Sequence, residues 1–366
     1  MKPHIVFTVI NDLHYDQRMQ RICTSLSNAG YRVTLIGRVI EKVKPLPERN
    51  YRQIRLTLFF NKGKLFYFFY NLRLLWHLLT HRYDIYGATD LDTLVPNFIA
   101  AKIKRKPHVY DAHEYFTQLP EIINRPVVKW VWKTVERIIV PRTRYAYTIN
   151  QSYADMFRYE YGTFFEIIRN AAVLRDETIS KKNGQEKYIL YQGAVNVGRG
   201  VEEMIEAMLF IENCKLYICG KGDVFDDCVN LVSKFGLENK VRFFGFIQPD
   251  QLRQITLNAT LGFTFFSREG ESYYYSLANR FFDYFHAGVP QLCVNFPEYK
   301  RINDEFEVAV ILEDINPLYI AAKVNELLSN EEYYERLRQN CLEARKVVNW
   351  QMEEKKLVAF YDRIAL

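Results

Sequence analysis

The chain has 366 residues, of which 49% are hydrophobic and 25% charged, and carries a formal net charge of +6. That length suits two domains with ample core, and the composition excludes a disordered or fibrous chain. The positive balance points to an anionic partner such as a nucleotide or a lipid headgroup, but no basic run lies in a recognition-helix or RNA-platform context, so nucleic acid is set aside.

Ile5 to Ile10 reads as a first buried strand, interrupted too soon by Asn11 and Asp12 for a signal peptide. The polar turn Asn11-Asp12-Leu13-His14-Tyr15-Asp16-Gln17-Arg18 follows. Met19, Ile22 and Leu26 then mark one stripe of a helix that Gly30 stops, and Tyr31 to Ile36 is a second strand. This β-α-β opening lacks the G-x-G-x-x-G fingerprint, which argues against a hydride-transferring dehydrogenase. A polar turn after a first parallel strand faces the crevice where α/β proteins bind ligands, so Asp16 and Arg18 are candidate contacts. Asp12 or Asp16 would serve equally as a helix cap.

Between 55 and 82, Lys62, Lys64, Arg73, His77, His81 and Arg82 are interleaved with Leu65-Phe-Tyr-Phe-Phe-Tyr and Leu74-Leu-Trp. The apolar run is too short to span a bilayer. It fits an aromatic, cationic helix lying in a membrane interface, and equally a packing helix of the first domain with a snorkelling edge. Asp84 to Asp92 is a strand ending in a small-residue turn, and Leu91 to Ile103 a helix. Pro107 to Phe116 is another strand, running into the polar tip Asp111-Ala112-His113-Glu114. Trp130 to Ile139 is a helix, and Tyr145 to Ile149 a strand whose end, Asn150, caps a further helix.

The pattern changes between Ile168 and Lys187, where a polar, aperiodic stretch looks like the domain connection. A second β-α-β series follows. Tyr188 to Gln192 is a strand, 193–200 a glycine-rich turn containing Gly193 and Arg199, and Val201 to Phe210 a helix. Leu216 to Cys219 ends at Gly220-Lys221-Gly222, and Val241 to Phe244 ends at Gly245-Phe246-Ile247. Glycine turns after parallel strands let a ligand approach the backbone closely, and Arg199 adds a cation for phosphate.

After the strand Leu261 to Phe266, residues 267–290 form the most informative stretch. From Leu277 the apolar positions Leu277, Phe281, Phe282 and Phe285 fall at a helical period, and Gly288 and Pro290 end the run. Ser276, Asn279, Arg280 and Asp283 then share one face. Such a face suits a nucleoside diphosphate, with phosphates at the amide end and a carboxylate accepting from the ribose hydroxyls.

The run Tyr275-Ser-Leu-Ala-Asn-Arg-Phe-Phe-Asp-Tyr, followed by His-Ala-Gly-Val-Pro, resembles the donor-site segment of family-4 retaining glycosyltransferases of GT-B fold. The resemblance implies that Asp283 binds the donor ribose, shortened from the usual Glu. It also implies that Arg280 is the basic residue there, and that the amides of Tyr275, Ser276 and Leu277 face the phosphates. The usual Glu-x7-Glu pair is incomplete, because Tyr275 stands eight positions before Asp283, and Glu269 or Glu271 is left as a substitute. Gly193, Arg199 and Gly220 match the pyrophosphate loops. Ala194 stands where an Arg is common, which leaves a phosphate cation to Arg280 or Lys221. Phe246 and Ile247 match the loop that meets the base. His113 resembles a histidine facing the sugar, acting by hydrogen bonding without needing charge. Asp16, Arg18, Asp111 and Glu114 fall to the acceptor.

The expectation is therefore an α/β protein with two Rossmann-like domains facing across a cleft (GT-B). Residues 1–168 would bind the acceptor, 169–345 the nucleotide-sugar, and 346–366 would return to the first domain. His113, Arg199 and Arg280 would carry the chemistry, with no metal and no cofactor beyond the donor itself. The implied activity is retaining transfer to a glycan or lipid-linked acceptor in cell-surface polysaccharide or glycolipid synthesis. A nucleotide-sugar epimerase of the same fold, and a non-catalytic sugar-nucleotide or membrane-surface binding protein, are the rival readings. The six cysteines show no metal spacing and read as reduced core thiols of a cytoplasmic protein, with peripheral placement on an anionic inner membrane face left open.

Overall fold

A computed structural model describes residues 2–14, 16–39, 45–58, 63–177, 179, 186–268 and 270–365. Lys62, Glu269 and most of the polar connector near 181–187 lie outside the described residues. The chain divides into two units, Met1–Asn170 with Gln351–Leu366, and Ala171–Trp350.

The first unit is built on β1 (His4–Asp12), β2 (Arg32–Arg38), β3 (Arg52–Leu56), β4 (Ile85–Thr89), β5 (His108–Ala112), β6 (Tyr145–Thr148) and β7 (Glu166–Ile167), in the order β3-β2-β1-β4-β5-β6-β7. Every pair is parallel. Parallel strands are covered on both faces, which is why their centres read as unbroken apolar runs such as Ile5, Val6 and Phe7, all fully buried. The strand order reverses between β1 and β4, so the turns after β1, β4 and β5 gather at a topological switch point.

Helix Gln17–Asn28 starts at Asp16, whose Oδ1 accepts from the Met19 amide at 3.0 Å. Asp12 instead accepts from the His14 amide and faces its ring. Asn150 caps its helix as expected, accepting from Tyr153 N at 2.8 Å. The aromatic stretch forms the helix Lys64–Thr80, whose Lys64 side chain is not among the described residues. Phe66, Tyr70, Leu74 and Leu78 form its buried inner stripe, while Leu65, Phe68, Leu72 and Trp76 stand exposed on the outside. The next helix, Leu94–Lys104, packs beside it. Helix Pro126–Ile139 begins before the expected Trp130, because a proline in the first turn forfeits no helical hydrogen bond. The closing helix Trp350–Ala365 lays Tyr361 against Phe7 and Tyr147 of the first sheet.

The second unit holds β8 (Tyr188–Gln192), β9 (Lys215–Cys219), β10 (Val241–Gly245), β11 (Leu261–Thr264), β12 (Gln291–Val294) and β13 (Ala309–Leu312), in the order β10-β9-β8-β11-β12-β13. It too is parallel throughout and reverses direction beside β8. Helix Val201–Ala207 ends short of the expected Phe210, which is half exposed. All six cysteines are free and buried, as expected of core thiols.

Candidate active site

In the second unit the strands β8, β9 and β10 end at Gly193, Gly220 and Gly245. Gly193 N donates to Cys219 O at 3.0 Å, and Gly220 N to Gly245 O at 2.7 Å, so the three turns lie edge to edge. A Cβ on Gly220 would sit 1.7 Å from Gly193 O, and its φ of +148° is one that side chains rarely adopt. Glycine there is what allows the turns to touch. Beside them the Phe246 side chain is 57% exposed, whereas Ile247 packs against a minor core containing Tyr188 and Tyr284.

Two cations converge on this rim. The Arg199 guanidinium carbon lies 4.8 Å from the centroid of Phe266 and 4.8 Å from that of Tyr273. The Arg280 guanidinium lies 4.7 Å from the same Phe266 ring and 4.8 Å from Tyr191. Arg280 is only 5% exposed and donates to Phe265 O at 3.1 Å and Tyr191 Oη at 3.4 Å. A Cβ on Gly193 would come within 3.2 Å of its Nη1, so Arg280 reaches the glycine turn, while the Lys221 stem lies toward Gly245. Both Nε atoms lack a hydrogen-bond partner, and neither arginine is ion-paired among the described residues. Aromatic faces offset part of the cost of withdrawing these charges from water. A counter-anion would offset the rest.

The helix that supplies Arg280 runs from Asn279 to His286, not from Leu277. A separate turn, Glu271–Tyr274, precedes it, and Ala278 is extended. The cause is tertiary: the Tyr299 hydroxyl accepts from Ala278 N at 3.1 Å and lies 3.3 Å from Ser276 Oγ. Ser276 is therefore not on the helical face with Asn279, Arg280 and Asp283, and its hydroxyl donates back to Tyr273 O. Two of the three amides expected to face the phosphates are engaged within the chain. Tyr275 N donates to Glu271 O and Ser276 N to Tyr273 O, both inside the turn, and the Leu277 side chain belongs to the core.

Asp283 accepts through Oδ2 from Gln192 Nε2 at 2.8 Å, and Gln192 Oε1 in turn accepts from Thr256 Oγ1 at 2.7 Å. Gln192 and Thr256 are buried, so this relay sets the carboxylate's direction. Arg253 donates to the main-chain oxygens of Asp283 and His286, fastening the same helix at its end.

In the first unit the tip of β5 forms a separate charged cluster. Asp111 accepts from Arg18 Nη2 at 2.8 Å, and its other oxygen lies 2.9 Å from His113 Nε2. Arg18 also donates to Ile168 O at 3.2 Å and brings Nε within 2.5 Å of His113 Nε2. On the other side of the ring, Asp90 Oδ2 lies 3.5 Å from Nδ1, and Asp90 Oδ1 accepts from the His113 amide at 2.8 Å. Nε2 cannot accept from Arg18 while donating to Asp111. Burial disfavours the charged ring, but Asp111 and Asp90 outweigh it, so the His113 pKa is raised and the Nε2–H goes to Asp111. Against its own burial, Asp111 is held below the usual carboxylate range by Arg18 and His113. Burial pushes Asp92 well up, with the charges of Asp90 and Glu114 adding to it.

Three expectations change here. Arg18 and Asp111 are buried and bound to each other, so they hold His113 in place and do not present themselves to an acceptor. Asp16 is engaged as a cap and accepts from Asn11 as well. His113, expected to act by hydrogen bonding without needing charge, is flanked by acids that favour its charged form. Glu114 is exposed. Asp90, Gln192, Phe266 and Tyr299 are absent from the sequence-derived set. Asp90 carried the same signal as Asp111, a carboxylate at a strand's end. Phe266 and Tyr299 carried none, being aromatics among many.

Two family models match the chain, glycosyltransferase family 4 over residues 17–171 and glycosyl transferases group 1 over residues 174–343. An uncharacterized glycosyltransferase of Methanocaldococcus jannaschii is 38% identical over 77 residues, covering 20% of this chain and only 20% of that relative. Among solved structures, sucrose-phosphate synthase from Thermosynechococcus elongatus has a TM-score of 0.80 at 14% identity, over 99% of each chain. Anabaena HepE in complex with UDP and glucose has a TM-score of 0.79 at 14% identity, over 98% of this chain and 99% of that one. The likeness establishes the α/β GT-B fold.

Proposed function

The chain belongs to the glycosyltransferases of family 4, and on that premise we propose that it moves a sugar from a nucleotide-sugar to a glycan or lipid-linked acceptor with retained configuration and without a metal. The Ala171–Trp350 unit takes the donor and the other unit takes the acceptor. One observation carries the donor assignment: Arg199 and Arg280 stand on the single ring of Phe266, beside the Gly193 turn, without an ion-pair partner among the described residues. A pyrophosphate carries the charge and the acceptor oxygens that two guanidiniums bind well.

In this reading the acceptor hydroxyl attacks the anomeric carbon as the bond to the diphosphate breaks, and its proton passes to the departing phosphate oxygen. Arg199 and Arg280 stabilise the charge growing on that leaving group. Asp283, aimed by Gln192, accepts from the ribose hydroxyls, and the exposed ring of Phe246 is available to stack on the base. His113, held by Asp111, Arg18 and Asp90, offers a hydrogen bond to the sugar. Cell-surface polysaccharide or glycolipid synthesis on the cytoplasmic side is the setting this chemistry implies.

The test is calorimetry with UDP first, the nucleotide bound by Anabaena HepE, then GDP, ADP and TDP, followed by an acceptor panel with the matching nucleotide-sugar. Binding of one diphosphate, with its release only when acceptor is present, is the expected result. Release of an epimer without acceptor would point to the epimerase reading instead. No binding of any nucleoside diphosphate would overturn the donor site.

A further inference from the structure

Three helices of the first unit make an outer surface that the transfer reaction does not use. Lys64–Thr80 is apolar nearly all round, a pattern that belongs to a helix buried on every side or in contact with lipid. Its inner stripe is core, yet Leu65, Phe68 and Leu72 on the outside are 58%, 63% and 53% exposed, and Trp76 is 71% exposed. Helix Pro126–Ile139 repeats the arrangement, with Val127, Val131, Ile138 and a 70% exposed Trp130 at helical spacing on its outer side. The two are joined: Tyr67 and Trp132 meet edge to face at 5.8 Å, and Leu94–Lys104 packs against both, showing Ile103 to solvent.

The charges on this layer have one sign. Lys64–Thr80 and Leu94–Lys104 contain no Asp or Glu, and the single acid of Pro126–Ile139, Glu136, is fully buried. On these helices and at their ends Arg73, Lys102, Arg105, Arg125 and Arg137 are exposed as well. Among the described residues, no helix is long and apolar enough to cross a membrane.

We propose that the outer faces of these helices form a docking surface for an anionic lipid leaflet, with Trp76 and Trp130 as interfacial anchors. Tryptophan belongs at the headgroup boundary, where its ring is apolar and its N–H is wet. The exposed cations match anionic headgroups, whereas a second copy of this chain would bring the same cations face to face. The surface is distinct from both charged sites above and does not depend on the proposed chemistry.

The experiment is sedimentation of the full chain with phosphatidylcholine vesicles, with and without phosphatidylglycerol, at low and high salt. Wild type should pellet with the anionic vesicles and be released near about 1 M salt, where the Debye length falls to about 3 Å. Each cation removed, as in Lys102→Gln or Arg137→Gln, should weaken partitioning about fivefold. Trp76→Ser with Trp130→Ser should weaken it by at least about tenfold, while the melting temperature and nucleotide binding confirm the fold. Three outcomes would overturn the proposal: wild type remaining in the supernatant with anionic vesicles, equal binding to neutral ones, or concentration-dependent self-association that the tryptophan variant abolishes.

Discussion

Gln192 and Asp283 meet across 2.8 Å from different elements, one closing β8 and the other one turn into the Asn279–His286 helix. The contact ties the carboxylate's direction to the strand that carries the glycine turn. Asp283→Ala should therefore weaken nucleotide binding by about 1.5–3 kcal/mol, roughly ten- to hundredfold. Gln192→Leu, which leaves the carboxylate intact but removes its contact with the strand, should cost about 1 kcal/mol. Because ribose is common to both ligands, calorimetry should show the same factor for uridine as for UDP. Unchanged uridine affinity in Asp283→Ala would remove the ribose assignment.

Arg199→Ala should discriminate ligands in the opposite way, with a loss of about 1.5–3 kcal/mol for the diphosphate and little for the nucleoside. Arg280→Met adds a test of sign. Replacing a withdrawn charge that has no ion-pair partner among the described residues with an apolar side chain of similar length removes a desolvation cost, so the ligand-free variant should melt no lower than wild type. UDP should then raise its melting temperature less. A large drop in the melting temperature of the free variant would make Arg280 a structural residue.

Gly220→Ala should be severe. The added methyl would lie 1.7 Å from Gly193 O, at a backbone φ of +148°. Strain and overpacking together cost about 2–5 kcal/mol. Chemical denaturation should show the second unit destabilised and UDP binding lost. A variant as stable as wild type would mean that the two turns do not touch.

The His113 cluster should appear in the pH dependence of stability. Its pKa is raised by Asp111 and Asp90 over the opposing effect of burial. A raised pKa contributes stability that is fully present below the unfolded value of about 6.5 and is lost as pH rises through the folded one. Asp111 runs the other way: its lowered pKa contributes stability above about pH 4 that is lost on acidification. Thermal melts of wild type should decline above about pH 6.5, and His113→Gln should lose that part of the slope while keeping the acid limb. An identical alkaline slope in the variant would place the titration elsewhere.

The local pattern was sufficient for the architecture. Apolar runs broken by glycine turns after Gln192, Cys219 and Phe244 marked three strand ends, because a strand and its turn are decided within a few neighbouring residues. The same proximity made Asp283, Arg199 and His113 readable as candidates, since each stands at or just beyond a strand end or helix start.

The tertiary structure decided what those residues face. Arg199 and Arg280 share the ring of Phe266, though nothing in the spacing of 199, 266 and 280 distinguishes that phenylalanine from the others. The helix starts at Asn279 because Tyr299, arriving from another helix, takes the Ala278 amide. Arg18 looked like a surface contact in a polar turn and is buried, because Asp111 at the end of β5 and the Ile168 carbonyl draw its guanidinium inward. The Lys64–Thr80 helix showed no clear face in its sequence, since both sides are apolar, and only packing against the sheet separated the buried Phe66, Tyr70 and Leu74 from the exposed Phe68 and Trp76. Burial and charge pairing are properties of neighbours in space, and the chain brings those neighbours from positions that no local spacing connects.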